Sequence, residues 1–337
     1  MGFKTKQGKM RIGIIILNWN GKLHTLACIE SLVASRDTLL CILIVDNGSK
    51  DGTVDALMRW GKRQKWEVHI FQETTASGFQ NILPVMFGRE EIYILQLDKN
   101  VGYTKGNNIG IKWFQKSGAD AVLILNNDTW VTSEAIFRME ETIKKSSAIG
   151  IVGCKIMNYN DDGFQYQGGG NLSYWLGVHY LRRFKGHPKG DVKVNFVPGC
   201  AMLIRMSVLN ALGGFRDDFF AYTDDIEFCH RVRQAGWTLM LNLDTFIRHK
   251  LSQATGGRRT ALYYYFVTRN TLIFIIENLR GLQQLVALIM FIFARLLQMI
   301  LWTSSRHWGR IKGVIMGVID FVRGVRGPGW ATRFLKL

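Results

Sequence analysis

Acidic residues are in short supply. Asp and Glu number 26 against 43 Lys and Arg, leaving a net charge of +17 over 337 residues. Such a surplus calls for an anionic partner: nucleic acid, a phosphorylated substrate or acidic lipid. Cysteine is scarce as well. Cys28, Cys41, Cys154, Cys200 and Cys229 lie far apart, form no CxxC pair and are odd in number. They read as reduced thiols in a cytoplasmic protein, not as a disulfide framework. The first predicted strand is followed by Asn18-Trp19-Asn20-Gly21-Lys22, not by Gly-x-Gly-x-x-Gly, and no P-loop occurs. The usual markers of hydride transfer and NTP hydrolysis are therefore missing. The basic start, Lys4 to Arg11, precedes only the short apolar run Ile12 to Leu17. That run is too short for a signal-peptide core and reads better as a strand. There is no internal repeat and no low-complexity tract.

Apolar residue types make up 47% of the chain, enough for a large domain plus an appendage. Buried strands are expected at Ile12–Leu17, Ile42–Val45, Ile92–Leu97 and Ala121–Leu125. Helices are expected at 23–34, Thr53–Arg63, Asn108–Gln115 and Glu134–Lys145. Residues 72–91 read as an insertion and 158–195 as a long Gly-rich and aromatic loop region. Strand character returns at Phe196–Ile204, at Thr238–Asn242 and at Phe246-Ile247. Apolar strands alternating with amphipathic helices imply a mostly parallel sheet covered on both faces. Asp46, Asn100 and Asp128 fall at, or just past, the C-terminal ends of three such strands, the edge where ligands bind in open parallel sheets.

Asp224 and Asp225 open a helix that runs to Ala235, with Gly236 as its stop. Carboxylates there can simply cap free N–H groups. Capping accounts for one of them, but not for Asp224, Asp225 and Glu227 crowded behind Phe219, Phe220 and Tyr222. That cluster suits a general-base site. Asp46-Asn47-Gly48-Ser49 is either a strand-ending turn or a ligand-binding one. The glycine-rich stretch Asn100 to Gly110 enters a helix and could face phosphates. Asn126-Asn127-Asp128 is either an Asx turn or part of a hard-cation site such as one for Mg²⁺. His249 alone defaults to a packed or solvated imidazole.

In order along the chain stand Val-Asp46-Asn-Gly-Ser, Asn100-x-Gly with Gly106-Asn107-Asn108-x-Gly110, Asn126-Asn127-Asp128, Pro198-Gly199-Cys200-Ala201, and Gly213-Gly214-Phe215 leading to Asp224-Asp225-Ile226-Glu227. Together they resemble glycosyltransferase family 2, inverting enzymes of the GT-A fold, over roughly residues 10 to 275. His249-Lys250-x-Ser252-x-x-Thr255-Gly256-Gly257, Tyr263-Tyr264-Tyr265 and Thr268-Arg269-Asn270 resemble its rhamnosyltransferase-like branch.

The resemblance implies a Rossmann-like α/β/α sandwich with a mostly parallel central sheet, plus C-terminal membrane-associated helices. It implies a catalytic domain over 10–262, with a nucleotide-sugar half at about 10–130 and an acceptor half at about 131–262. Asp225 would be the catalytic base, with Asp224 in place of the usual Glu. Asn18, Asn20, Asp46, Asn47, Asn100, Gly102, Gly106, Asn107 and Asn127 would bind the nucleotide sugar. Gly199, Cys200, Tyr222 and Glu227 would line the acceptor pocket. Asp128 and His249 would hold a divalent cation, Mg²⁺ or Mn²⁺. The first position of the metal triplet, often Asp in the family, is Asn126. The implied reaction moves a sugar, L-rhamnose by the branch, from a dTDP-, UDP- or GDP-linked donor to a hydroxyl of a glycan or polyprenyl-linked acceptor. It proceeds with inversion and without processivity, in cell-surface polysaccharide synthesis. The alternative is a nucleotide-sugar and membrane-binding module with weak or no catalysis.

Leu285 to Trp302 is apolar except for Arg295 and Gln298, just long enough to span a bilayer. Residues 271–337 hold nine Lys or Arg against two Asp or Glu. Region 263–337 is read as basic and apolar helices on an anionic membrane surface, with a spanning helix and a pair packed in the interior as alternatives. The expected location is the cytoplasmic face of the plasma membrane, peripheral or C-terminally anchored. A nucleic-acid binder would account for the charge but not for acids gathered at strand ends; no nucleic-acid partner is expected. A sugar nucleotidyltransferase would need a Gly-rich, Arg-containing first turn, and a processive synthase a Q-x-x-R-W motif. Neither is present.

Overall fold

The computed structural model describes residues 9–34, 39–72, 86–159, 165–173, 175, 178–185, 188–250 and 260–335. Within them the chain runs β1 (Arg11–Asn18), α1 (Lys22–Val33), β2 (Leu39–Asp46), α2 (Thr53–Gln64), β3 (Glu67–Gln72), β4 (Glu91–Gln96), α3 (Tyr103–Lys116), β5 (Ala121–Asn126), β6 (Thr129–Val131) and α4 (Ala135–Lys144). It continues with β7 (Ile149–Asn158), β8 (Gln165–Ser173), β9 (Val178–Lys185), β10 (Asp191–Val194), β11 (Ala201–Arg205), α5 (Met206–Leu212), α6 (Asp224–Gln234) and β12 (Thr238–His249). Three long helices follow: α7 (Ala261–Asn278), α8 (Gly281–Ser304) and α9 (Trp308–Val322).

One sheet organises the molecule, in the order β10-β12-β7-β11-β5-β1-β2-β4-β3. Strands β3, β4, β2, β1 and β5 are parallel, as βαβ crossovers require. β11 enters antiparallel between β5 and β7. The isoleucine-rich β1 shows why both faces are covered. Ile12, Ile14 and Ile16 point to one side, against Cys28 and Ile29 of α1, Leu57 and Trp60 of α2 and Ile136 of α4. Ile15 points to the other side, into the layer formed by Trp113 and Phe114 of α3, Phe228 of α6 and Leu272 of α7. The result is the expected α/β/α sandwich around a mixed but largely parallel sheet.

Four local expectations differ from the structure. β3 was hidden because an edge strand mixes polar and apolar residues, as Glu-Val-His-Ile-Phe-Gln does. Of the supposed insertion, 73–85 lies outside the described residues. The expected loop over 158–195 contains the antiparallel hairpin β8–β9 and the short β10. The two short strands before His249 are one strand with an irregularity between Asn242 and Phe246. Helix α3 begins at Tyr103, not Asn108, so Gly106 and Asn107 lie inside it. Ser252 and Thr255-Gly256-Gly257 lie outside the described residues.

α7 is buried from Tyr265 to Ile275 apart from Val267. Small residues let α9 approach it: a Cβ on Gly313 would sit 2.2 Å from the Ala261 carbonyl oxygen. α8 differs. Of its residues only Ala287 and Phe291 are buried.

Candidate active site

The polar residues that end the parallel strands meet at one edge of the sheet. Asn18 and Asp46 are register partners at the ends of β1 and β2, and Asn126 ends β5 beside Leu17. Asn18 is fully buried and is the hub. Its Nδ2 donates to Asp46 Oδ1 at 2.7 Å and to Ser49 Oγ at 2.9 Å. Its Oδ1 accepts from Thr25 Oγ1 at 2.7 Å and from Asn127 Nδ2 at 3.1 Å. Asp46 takes a further bond from the Ser49 N–H. Asn20 stands at φ 50°, and its Oδ1 accepts from the Lys50 N–H. The two strand-end turns therefore brace each other.

Asn47 Nδ2 donates to Asn100 Oδ1 at 2.9 Å, and Asn47 Oδ1 accepts from the Val101 N–H at 2.8 Å. This fixes the turn before α3. Gly102 has φ 93°, and a Cβ there would lie 2.6 Å from the Phe220 ring. The N-terminus of α3 is already engaged, because Tyr103 N and Thr104 N donate to the Phe220 carbonyl. Gly106 serves close packing, since a Cβ would meet Leu17 at 2.4 Å. Asn107 is buried and donates to the Tyr103 carbonyl.

A second cluster gathers around β5 and β12. His249 Nε2 lies 2.9 Å from Asp128 Oδ1 and 3.3 Å from Asn126 Nδ2. Burial pushes the His249 pKa down, but the Cys200 sulfur and the Asp128 carboxylate outweigh it and hold the value up at about 10. The Cys200 carbonyl accepts from Asn126 N, which ties the Pro198-Gly199-Cys200 turn to the end of β5.

The acidic pair opens α6 beside that turn. Half-buried Asp225 accepts the Gly199 N–H on Oδ2 at 3.1 Å. Tyr103 donates its hydroxyl to the Gly199 carbonyl at 2.8 Å. A Cβ on Gly199 would lie 2.7 Å from that hydroxyl, so the position needs glycine. Asp224 is buried, and burial followed by the neighbouring Asp225 raises its pKa well above the ordinary carboxylate range. Glu227 is also buried, but it pairs with Arg231 Nε at 2.7 Å. Arg231 in turn binds the Leu212 and Gly214 carbonyls, so Glu227 serves the joint between α5 and α6.

The approach to α6 is strained. Phe220, Tyr222 and Thr223 have φ of 67°, 65° and 65°, and none is glycine. Such conformations cost about 1–3 kcal/mol each and persist only where the surroundings over-determine them. Here Phe220 stacks on Phe266, and Tyr222 meets Tyr263 edge-on. Asn270 and Arg269 of α7 bind the loop's carbonyls from below. The sequence marked these two residues only as part of a branch motif. Their structural signal was a polar triplet, Thr268-Arg269-Asn270, inside an apolar helix.

Among the described residues, one trio of His and carboxylate groups is close enough to share an ion: Glu67, His69 and Glu91. Glu67 and Glu91 pair at the start of β3 and β4, the opposite edge of the sheet from the strand-end cluster. That position separates the trio from Asp128 and His249.

The glycosyl transferase family 2 profile matches residues 13–83 and 80–213. The chain belongs to this family. It is 28% identical over 146 residues to the low-salt glycan biosynthesis hexosyltransferase Agl10 of Haloferax volcanii, covering 43% of this chain and 47% of that protein. The match thus spans about half of that relative. Over 291 residues it is 21% identical to the N-acetylglucosaminyl-diphospho-decaprenol L-rhamnosyltransferase of Mycobacterium tuberculosis, covering 80% of this chain and 85% of the relative. Among solved structures, the mannosyltransferase PcManGT of Pyrobaculum calidifontis, in complex with GDP-Man and Mn²⁺, aligns with a TM-score of 0.56 at 14% identity, over 94% of this chain and 88% of its own. GalNAc-T7 with UDP, GalNAc and Mn²⁺ gives a TM-score of 0.56 at 13% identity, over 78% of this chain and 48% of that one. These likenesses establish the GT-A fold expected from the motifs.

Proposed function

We propose that the protein is an inverting, metal-dependent glycosyltransferase that moves a hexose, L-rhamnose by its closest motif pattern, from a nucleoside diphosphate to a hydroxyl of a glycan or polyprenyl-linked acceptor. The observation that carries this reading is Asp225. It is accessible, aimed by the Gly199 N–H, and sits beside the polar strand ends where nucleotides bind in this fold. The acceptor oxygen attacks the anomeric carbon as the bond to the diphosphate oxygen breaks. Asp225 takes the hydroxyl proton, and a single displacement inverts the centre. Asp224, held towards its neutral form, leaves one carboxylate charge for that task.

In this reading residues of about 10–130 bind the donor and those of about 131–262 the acceptor. Asn18, Asn20, Asp46, Asn47, Asn100 and Asn127 form the braced nucleotide wall. Gly102, Gly106 and Asn107 set the position of α3 against it. Gly199, Cys200 and Tyr222 face the acceptor, with Glu227 behind them supporting α6. Each Asp46 oxygen already accepts one bond, and the carboxylate would take a nucleobase donor as a further one.

Asp128 and His249 suit a divalent cation such as Mg²⁺ or Mn²⁺. They would hold it through a carboxylate oxygen and an imidazole nitrogen that already lie together, 2.9 Å apart. Carboxylate oxygen suits Mg²⁺ or Mn²⁺, and the His249 imidazole, protonated beside Asp128, would give up that proton to serve as the second donor. Such an ion would neutralise charge on the leaving diphosphate.

α8 and α9 would rest on an anionic membrane at the cytoplasmic face, where lipid-linked acceptors are reached. Leu285, Ile289, Phe293, Leu296 and Ile300 recur at helical spacing along α8, each about half exposed or more. The relative from Mycobacterium tuberculosis carries a decaprenol-linked sugar diphosphate in its name, which favours such an acceptor.

A binding module with weak catalysis is favoured by Asn126, which removes one charge from the metal triplet. Nucleoside diphosphate release from dTDP-L-rhamnose, UDP-N-acetylglucosamine and GDP-mannose separates the two readings. With a polyprenyl-linked sugar acceptor present, a transferase releases the nucleoside diphosphate from one donor as the sugar passes to the acceptor hydroxyl, and loses this in Asp225→Asn; a binding module releases none from any.

A further inference from the structure

The bonds between α7 and the loop before α6 assign a role to a residue outside the strand-end cluster. We propose that Asn270 is a positioning residue for the acidic pair, with Arg269 holding it in register. This rests on Asp225 being the base.

Asn270 is fully buried, 45 residues along the chain from Asp225. The two hydrogens of its Nδ2 are shared among three carbonyls of one loop: Phe219 at 3.0 Å, Ala221 at 2.8 Å and Tyr222 at 2.8 Å. Its Oδ1 accepts from Arg269 Nε at 3.0 Å. With carbonyls on one side and a guanidinium on the other, the amide has one satisfactory orientation. Arg269, also fully buried, adds a second bond to the Phe219 carbonyl and reaches the Tyr265 hydroxyl. That hydroxyl donates to Asp320 of α9, which also accepts the Trp330 N–H.

The clamp is where the strain is. Phe220 and Tyr222 hold left-handed backbone within the clamped stretch, and Thr223 does so between it and Asp224. Three carbonyls converging on one amide hold that backbone against relaxation to ordinary φ. The next residues are the acidic pair. Without the clamp, the start of α6 shifts and Asp225 leaves the Gly199 N–H. A misplacement of about 1 Å at a reacting group costs about 100-fold in rate. Donor binding relies mainly on the strand ends of β1, β2 and β5, and the loop reaches the donor side through Phe220, whose carbonyl accepts from Tyr103 N and Thr104 N. The signature is therefore a fall in kcat much larger than any rise in donor KM.

Asn270→Asp tests this with little change in volume. It keeps an acceptor for Arg269, removes the donor to the carbonyls and sets a carboxylate oxygen against them. In the full-length protein, amide hydrogen exchange over residues 219–225 is expected to rise about tenfold. Nucleoside diphosphate release from dTDP-L-rhamnose, UDP-N-acetylglucosamine or GDP-mannose, whichever is turned over, is expected to fall about 100-fold in kcat, with any rise in donor KM at least about tenfold smaller than that fall. Leu272→Ala, a cavity variant on the same helix that removes no bond to the loop, is expected to change loop exchange and kcat by less than about threefold. Asn270→Ser serves if Asn270→Asp does not fold. Loop exchange and kcat within about threefold of wild type in a folded Asn270 variant would overturn the proposal, as would an equal kcat loss in Leu272→Ala. If Asp225→Asn turns over normally, the base assignment fails instead, while loop exchange still reports on the clamp.

Discussion

Two adjacent aspartates face different surroundings. Asp225 is half-buried and oriented by a backbone N–H; Asp224 is buried and pushed towards its neutral form. Asp225→Asn keeps the shape and removes the proton acceptor. Transfer is expected to fall by about 10²–10⁴-fold, with nucleotide affinity unchanged. Near-normal turnover by the purified variant would remove Asp225 as the base. The raised pKa of Asp224 also has a consequence for stability. The folded state holds a proton there that the unfolded chain releases near the ordinary value of about 3.9. This contribution is complete below that pH and is lost as pH rises towards the folded value. Asp224→Asn removes the titration. Its melting temperature is expected to decline less than wild type between pH 5 and pH 8, and an identical decline in both would contradict the assignment.

At the scale of elements, the last three helices divide their work. α7 is a core helix that carries the clamp under the acidic pair. α9 is bolted to it by Gly313 and Gly317 and by the Asp320 bond to the Tyr265 hydroxyl. A truncation near residue 280 would therefore remove partners of the core along with any membrane contact. Point changes on α8 avoid that. Exchanging Leu285, Ile289, Phe293, Leu296 and Ile300 for Gln should abolish flotation with phosphatidylglycerol vesicles and leave the melting temperature within a few degrees. Unchanged flotation would show that α8 does not hold the membrane. α8 is 24 residues long and one tenth of its most apolar stretch is buried. At about 1.5 Å per residue it is also long enough to cross a bilayer. Conversely, Gly313→Val drives a side chain into the Ala261 carbonyl. An overpacking cost of about 1–3 kcal/mol should appear as a lower melting temperature.

For the molecule as a whole, the sheet brings β1, β2 and β5 to one edge, and the chain then returns through β11 and α6 to place carboxylates beside it. The parallel core was legible because fully buried strands are uninterrupted apolar runs and their ends are Asn, Asp and Gly. The acidic pair was legible because three carboxylates in one short segment exceed what capping needs. Edge strand β3 and hairpin β8–β9 were not, since strands with a solvent-facing side carry the polar residues of a loop. The Asn270 clamp was only partly visible. A polar triplet in an apolar helix shows that something is satisfied there, but its partner lies about 50 residues back in the chain.

The central claim is that the strand-end cluster binds a nucleoside diphosphate through Asp128 and a divalent cation. Titration calorimetry of the full-length protein with UDP, dTDP and GDP, each with and without Mn²⁺, tests it most directly. The account predicts that one of the three binds in a metal-dependent manner and that Asp128→Ala abolishes the binding. Folded protein that binds none of them, or binds one equally well without metal and in Asp128→Ala, would contradict it.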